Sequence, residues 1–234
     1  MTPSITPERF AEGMTFEQYV AHVGTPANLA REATGGATRR DYSHFFAEAF
    51  RNARLTDYQI EALTRLASMR GGPSKLLVIS EDWSSDCRRD VPTFARIATV
   101  TGMDLRIFTR DGQKFSDAHV PSLESAPDSN ADVMAQFLNH KAGETWQSIP
   151  VAAFFTRDFE YLYHYTEYPA IYEKDRIRGQ LGVPKPAETP EQTRERSARE
   201  FQELQDSAYF RIWASAAVDE IISALHRRML LGAV

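Results

Sequence analysis

Apolar residues recur at helical spacing through the first part of the chain. The segments that follow Thr15 and Thr56 each carry such a stripe, and a third stripe lies within residues 41–53. Thr15 and Thr56 are each followed three residues later by a glutamine, the spacing of a capping box that satisfies free amides of a first helical turn. The pattern predicts a helical N-terminal extension over residues 1–70.

A different pattern begins after Gly71-Gly72-Pro73, with a short run of consecutive apolar residues at 76–79. This run predicts a strand buried on both faces, and helical spacing over 87–100 followed by a second strand at 105–108 predicts a parallel, right-handed crossover. Two further runs, 151–155 and 161–165, flank a turn and predict an antiparallel pair.

The rest of the chain predicts more helices. Short stripes lie at 132–139 and 171–181, and Thr189 with Gln192 forms another capping-box spacing before a long amphipathic helix with one possible interruption. We therefore expect an N-terminal helical extension (1–70), a central domain (73–183) and a C-terminal helical extension (188–231), packed as one compact unit. The apolar positions predicted to bury the last helix are Phe201, Leu204, Ala208, Ile212, Val218, Ile221, Leu225 and Met229.

Composition narrows the classes of partner. Hydrophobic residues make up 42% of the 234 residues, enough for a folded core, and the net charge of -5 gives no general attraction to nucleic acid or anionic lipid. The pairs Arg39-Arg40 and Arg227-Arg228 are expected to be solvated surface. Residues 1–24 lack a signal-peptide pattern, and no window is apolar enough to span a bilayer. These features predict a cytoplasmic protein without nucleic-acid or membrane partners.

Cys87 is the only cysteine, so the chain cannot form an intramolecular disulfide or a zinc site made of cysteines. His119, His140 and His164 are scattered and lack ligand spacing with acidic partners. No glycine-rich phosphate loop is complete. We therefore predict no metal and no cofactor.

The segment Trp83-Ser84-Ser85-Asp86-Cys87 lies at a predicted strand-to-helix junction, with Pro92 five residues after the cysteine and Ile149-Pro150 directly before a later strand. These residues and the order of elements over 73–183 resemble the thioredoxin superfamily, especially bacterial members with a Trp-Cys-Gly-Asp-Cys motif. The resemblance implies an α/β thioredoxin-like fold, a central mixed sheet flanked by helices, here with helical N- and C-terminal extensions. It also implies a cis peptide bond at Pro150, facing the motif.

The same resemblance assigns chemistry to the motif and shows what is missing. In dithiol members the first cysteine attacks a disulfide as a thiolate stabilised by a helix N-terminus, and the second resolves the product. Here Ser84 stands at the attacking position and Cys87 at the resolving one. Val78 occupies the position where thioredoxins carry a buried carboxylate. Ordinary dithiol-disulfide exchange is therefore not expected.

Charges around the motif act on the Cys87 thiol in opposite directions. Nearby carboxylates raise a thiol pKa, whereas neighbouring arginines lower it. The sequence places carboxylates at Glu81, Asp82 and Asp86 and arginines at 88 and 89.

Four functions follow, and the sequence leaves them open. The first is binding of a protein or peptide beside Pro150, with aromatic contact from Trp83 and the tyrosines at 161, 163, 165 and 168. The second is single-thiol chemistry at Cys87, with a small thiol such as glutathione or by oxidation to sulfenic acid. The third is a glutathione-binding, transferase-like role for Ser84.

The fourth is a thiol-disulfide oxidoreductase, if Ser84 is an engineered or variant replacement of the nucleophilic cysteine. The oligomeric state is left open, as is whether the chain is an enzyme. The candidate catalytic residues are Cys87 and Ser84, and the candidate binding residues are Trp83, Ser85, Asp86, Ile149 and Pro150.

Overall fold

The computed structural model describes residues 2–141 and 143–231, and residue 1, where the predicted N-terminal extension begins, lies outside it. Two short 3₁₀ helices lie at Thr34–Gly36 and Ala170–Tyr172. The elements in chain order are α1 (Pro7–Ala11), α2 (Phe16–Val23), α3 (Pro26–Leu29), α4 (Ser43–Asn52), α5 (Asp57–Ser68), β1 (Lys75–Ser80), α6 (Ser85–Thr101), β2 (Asp104–Thr109), α7 (Ala131–Met134), β3 (Asn139–Lys141), β4 (Glu144–Trp146), β5 (Val151–Phe155), β6 (Tyr161–Thr166), α8 (Lys174–Leu181), α9 (Pro190–Gln205) and α10 (Ala208–Leu231).

The central sheet of the described residues has four strands in the order β2-β1-β5-β6. β1 and β2 are parallel, whereas β5 is antiparallel to both of its neighbours. The predicted parallel pairing of β1 with β2 and the predicted antiparallel pair of β5 and β6 are therefore confirmed. β1 and β5 are almost entirely buried, which explains why both read as continuous apolar runs.

The capping residues form as predicted. The Thr15, Thr56 and Thr189 side chains each accept a hydrogen bond from the amide three residues ahead, and the glutamine side chain at that position accepts one from the threonine amide. Each box begins a helix at the residue after the threonine. The capping-box spacing therefore predicted the first residue of three helices correctly.

The C-terminal prediction needs correction. The expected interruption is present at Asp206 and Ser207, but the buried face differs from the predicted one. The second part buries Trp213, whereas Ile212 is 51% exposed. Ala208 is also exposed. The tryptophan ring fixes the buried face because it stacks on Tyr172, and that choice turns Ile212 toward solvent.

Two other predictions were too long, and one element was missed. The helix expected over 132–139 is only α7, because the chain turns into β3, which pairs with β4 in a separate small hairpin. The stripe at 171–181 divides into the second 3₁₀ helix and α8. Three-residue strands carry too little periodicity to be found from sequence.

The N-terminal helices are part of the packing around the sheet. Tyr19, Phe46 and Leu63 are fully buried in the same core as the strands, and α4 and α5 contact α6. Met14 exchanges two main-chain hydrogen bonds with Ile107, so the outer edge of β2 is covered. Gly13 allows this approach, because a Cβ there would lie 2.7 Å from Arg106 Cβ. No helix in residues 2–141 and 143–231 is long and apolar enough to cross a membrane.

Candidate functional site

The motif loop connects β1 to α6. Ser84 is the N-cap of α6, and its Oγ accepts a hydrogen bond of 3.4 Å from the Cys87 amide. Trp83 and Ser85 are partly exposed, whereas Asp86 is buried. The Trp83 ring packs edge-on against Phe115 at 5.5 Å. Ser84 therefore has a structural role at the position where the resemblance implies a nucleophile.

Ile149 and Pro150 lie beside this loop. The Ile149–Pro150 peptide bond is cis, and the pairing of Ile79 with Val151 places Pro150 next to the end of β1. The Pro150 carbonyl accepts a 2.8 Å hydrogen bond from the Glu167 amide. Ile149 is only 5% exposed. The structure thus brings together the residues that the sequence singled out at 83–87 and 149–150.

Cys87 has no solvent-accessible surface. Its Sγ accepts a hydrogen bond from the Glu81 amide at 3.5 Å, and the Ser80 hydroxyl also contacts it. The Ser80 hydroxyl in turn lies 2.9 Å from the Tyr19 hydroxyl of α2. Burial raises the pKa of Cys87 to about 12, despite the hydrogen bonds from Ser80, Glu81 and Ser84 that oppose it. The thiol is therefore protonated at neutral pH.

The two acidic residues before Trp83 are buried in ion pairs with the N-terminal segment. Glu81 contacts Arg31 at 2.8 Å and Arg39 at 2.7 Å, and Arg39 also pairs with Asp82. The Arg39 side chain is fully buried, so its expected place on the solvated surface was wrong. Two buried carboxylates require buried counter-charges, and Arg31 and Arg39 supply them.

A second buried charge cluster surrounds Asp86. Its carboxylate contacts Arg89 at 2.8 Å and also pairs with Lys174 of α8. Arg89 makes a two-pronged contact with Asp90, and Tyr165 donates a 2.9 Å hydrogen bond to the same carboxylate. Burial raises the pKa of Asp90 to about 6, although Arg89 opposes the shift.

Neither arginine after Cys87 acts on the thiol as the sequence suggested. Arg89 is engaged by its two aspartates, while Arg88 donates to the main-chain carbonyls of Asp82 and Trp83 and lies over the Tyr42 ring. Glu81 and Asp82 are paired with cations from elsewhere in the chain, whereas Asp86, paired with Arg89 and Lys174, adds the smallest of the named contributions to the rise in the thiol pKa. Burial, not local charge, governs the pKa of Cys87.

The tyrosines near the sheet edge do not form one aromatic surface. Tyr165 is buried against Asp90, and the Tyr161 hydroxyl lies 2.6 Å from His164 Nδ1. Tyr168 instead donates to Asp175 at 2.9 Å. The described ranges, with their gap at 142, contain no group of three or more histidine, cysteine or acidic residues that could hold a metal ion.

Several residues of this region could not be found from the sequence. Tyr19 of α2 and Arg31 and Arg39 of the loops between α3 and α4 approach the motif from the N-terminal side, and Glu167 and Lys174 approach it from beyond β6. They lie between 43 and 88 residues away from their motif-side partners in the chain. The only sequence signal was the cluster of carboxylates at 81, 82, 86 and 90. If such carboxylates are buried, cations from elsewhere in the chain must pair with them.

A family model described as thioredoxin matches residues 39–120, about a third of the chain, which include β1, the motif loop, α6 and β2. The chain has a thioredoxin-like fold. Together with the mixed four-stranded sheet flanked by helices, this match confirms the predicted fold class.

Solved structures resemble this thioredoxin-like chain over nearly all its length. One is a protein of unknown function from Pseudomonas aeruginosa, 15% identical, with a TM-score of 0.50 over 95% of this chain and 98% of that one. Another is an HIV epitope scaffold, 16% identical, with a TM-score of 0.48 over 96% of each chain. The first likeness concerns the fold alone. The search of curated proteins gave no match.

Proposed function

We propose that this thioredoxin-like protein binds an extended peptide or protein segment beside Pro150 and does not carry out dithiol-disulfide exchange. The observation that carries the proposal is the state of the motif. Ser84 caps α6 at the position of the attacking thiol, and the one sulfur available, Cys87, is buried with its pKa raised to about 12. Thiolate attack needs an accessible, low-pKa thiol.

The main chain at Ile149 supports binding. No hydrogen bond within residues 2–141 and 143–231 uses the amide or carbonyl of Ile149, although the neighbouring Pro150 carbonyl is satisfied by Glu167. An extended segment can pair with such free groups as an added strand, and this interaction requires no cysteine. Trp83, partly exposed at the same loop, offers an aromatic contact.

The chemistry-based alternatives fit the geometry less well. Single-thiol chemistry would require Cys87 to leave its contacts with Ser80 and Glu81 and reach solvent. A transferase-like role would require the Ser84 hydroxyl to donate to a bound thiolate, but that hydroxyl contacts Cys87 and Ser84 is 7% exposed. Both reactions therefore require Cys87 or Ser84 to leave its present contacts. Main-chain pairing at Ile149 leaves these two side chains in place.

Selection from a random peptide display library on the immobilised full chain tests the proposal. Enriched peptides should bind Cys87→Ala with a Kd within about twofold of wild type and Trp83→Ala roughly tenfold more weakly, a factor equal to ~1.4 kcal/mol. Trp146→Ala is the matched tryptophan control and should retain binding. Loss of binding in a folded Cys87→Ala variant, or no enriched peptide at all, would overturn the proposal.

A further inference from the structure

One segment of the chain borders the proposed binding site. Residues 167–175, which we term the cover segment, begin at Glu167 beside Pro150 and end in the first turn of α8. The Glu167 amide bonds to the Pro150 carbonyl, and its own carbonyl accepts a 3.1 Å hydrogen bond from Arg89 Nη2. The segment therefore connects the Pro150 loop to helix α6, and Asp86 and Ile149 are 3% and 5% exposed.

The cover segment places a cation on the motif. Lys174 is 9% exposed, and its ammonium group pairs with Asp86 Oδ2 and lies 3.7 Å from Glu167 Oε1. The Tyr168 ring lies 5.5 Å from the same nitrogen. Because the other Asp86 oxygen contacts Arg89, both carboxylate oxygens are occupied.

A peptide paired with Ile149 would need the space beside Pro150 that the cover segment borders. Displacing the segment removes Lys174 from Asp86 and leaves one cation for the two carboxylates of Asp86 and Asp90 in a buried site. A buried carboxylate that loses its partner is costly, so a ligand that restores a cation there is favoured. Ligands that carry a neutral or acidic side chain at this point leave the cost uncompensated.

We propose that the cover segment is an autoinhibitory contact, in which Lys174 occupies the place of a lysine or arginine side chain of the partner. This inference rests on the proposed peptide-binding function and specifies its partner as a segment with a basic residue. The site is closed in the structure and opens when a basic segment replaces Lys174 at Asp86.

The backbone of the cover segment is consistent with release. Glu167 and Glu173 have φ angles of 67° and 44°, in the left-handed region that is unfavourable for residues with a Cβ. Such conformations persist only where surrounding contacts hold them. Besides the hydrogen bonds of Glu167 to Pro150 and Arg89, these contacts include the Lys174 pair with Asp86, the stack of Tyr172 on Trp213 at 3.6 Å and the Lys141 bridge to Glu167 and Asp175.

Chemical rescue tests the cation position without any peptide. Lys174→Ala leaves a space beside Asp86, whereas Lys174→Met removes the charge but fills the space. We expect n-butylammonium chloride to raise the Tm of the full-length alanine variant above that seen with sodium chloride of equal strength. Neither wild type nor Lys174→Met should respond. Failure of rescue in folded Lys174→Ala, shown by circular dichroism, overturns the proposal.

Peptide binding tests the autoinhibition itself. The probes are acetyl-Ala-Ala-Lys-Ala-Ala-amide and the same peptide with glutamate, titrated into ¹⁵N-labelled protein. We expect the lysine peptide to bind Lys174→Ala at least tenfold more tightly than wild type, with no gain for the glutamate peptide.

The two proposals fail in different ways. Display-selected peptides that bind wild type and Lys174→Ala equally, without preference for a basic residue, leave the proposed function standing and overturn the autoinhibitory contact. If no selected or synthetic peptide binds either protein, both proposals are overturned.

Discussion

The hydroxyl of Tyr19 lies 2.9 Å from the hydroxyl of Ser80, which itself contacts the thiol of Cys87. Helix α2 thus contacts the buried side of the motif loop through an uncharged hydroxyl group. Val78, where the resemblance implies a carboxylate, is fully buried in the apolar core. Hydroxyl groups and an amide contact the thiol, and none of these contacts in the described part of the chain is a base that could take its proton.

Cys87 should react very slowly in the folded protein. A pKa of about 12 leaves on the order of one thiol in 10⁵ ionised at pH 7, and burial blocks the reagent as well. We expect negligible labelling by 5,5′-dithiobis(2-nitrobenzoic acid) in native buffer and one equivalent in concentrated guanidinium chloride. Rapid stoichiometric labelling of the native protein would show that the thiol is accessible.

Wild type should not reduce insulin disulfides with dithiothreitol as electron donor. Ser84→Cys should gain a low activity, because its new thiol lies at the N-terminus of α6 and next to Cys87, but lacks the buried carboxylate. The double variant Ser84→Cys with Cys87→Ala is the control and should lose that gain. Activity of wild type above the uncatalysed rate contradicts the degenerate-motif interpretation.

Arg39 and Arg40 should differ sharply in their effect on stability. Replacing Arg39 with methionine leaves Glu81 with Arg31 alone and removes a partner of Asp82, and breaking buried pairs of this kind typically costs ~3–5 kcal/mol. Arg40 is exposed, so Arg40→Met should change the free energy of unfolding by less than ~0.5 kcal/mol. Urea denaturation of both variants makes the comparison, and equal effects would contradict it.

Two neighbouring apolar residues of α10, Ile212 and Trp213, should also differ in how much they contribute to the free energy of unfolding. Trp213 is 5% exposed and stacks on Tyr172, so Trp213→Ala should cost ~3–5 kcal/mol. Ile212 is 51% exposed, and Ile212→Ala should cost less than ~0.5 kcal/mol. If thermal unfolding showed the larger loss for Ile212, the assignment of the buried face would be wrong.

Asp90 should make the folded state less stable as pH rises. Its pKa is about 6 in the folded protein and 3.8 without the fold, so the folded state holds the extra proton between those values. The stability it contributes is fully present below pH 3.8 and is lost as pH rises through about 6, a difference of ~3 kcal/mol. Asp90→Asn should lack this slope in urea denaturation from pH 4 to 7. Identical slopes in both proteins would refute the assignment.

The sequence predicted those features that depend on local periodicity and capping. The spacings after Thr15, Thr56 and Thr189 predicted helix starts, and the segments at 83–87 and 149–150 predicted a strand-to-helix loop and a strand start, because short-range spacing is visible in one chain.

The sequence did not predict which distant charged residues form ion pairs. The sequence alone predicts that Arg39 is a surface residue, but in the structure it is buried against Glu81 and Asp82. Nothing local in the sequence indicates that Lys174 pairs with Asp86. Likewise, Ile212 and Trp213 are both apolar, and only packing on Tyr172 decides which of them is buried. Tertiary geometry, not residue type, sets these outcomes.

The complete burial of Cys87 bears on how the protein behaves in oxidising samples. With one cysteine per chain, the only disulfide that two copies can form joins Cys87 to Cys87, and native folds keep both sulfurs out of contact. A covalent dimer on a non-reducing gel would therefore show that some molecules had unfolded far enough to expose Cys87. Such a dimer can be used to detect damaged or aged protein.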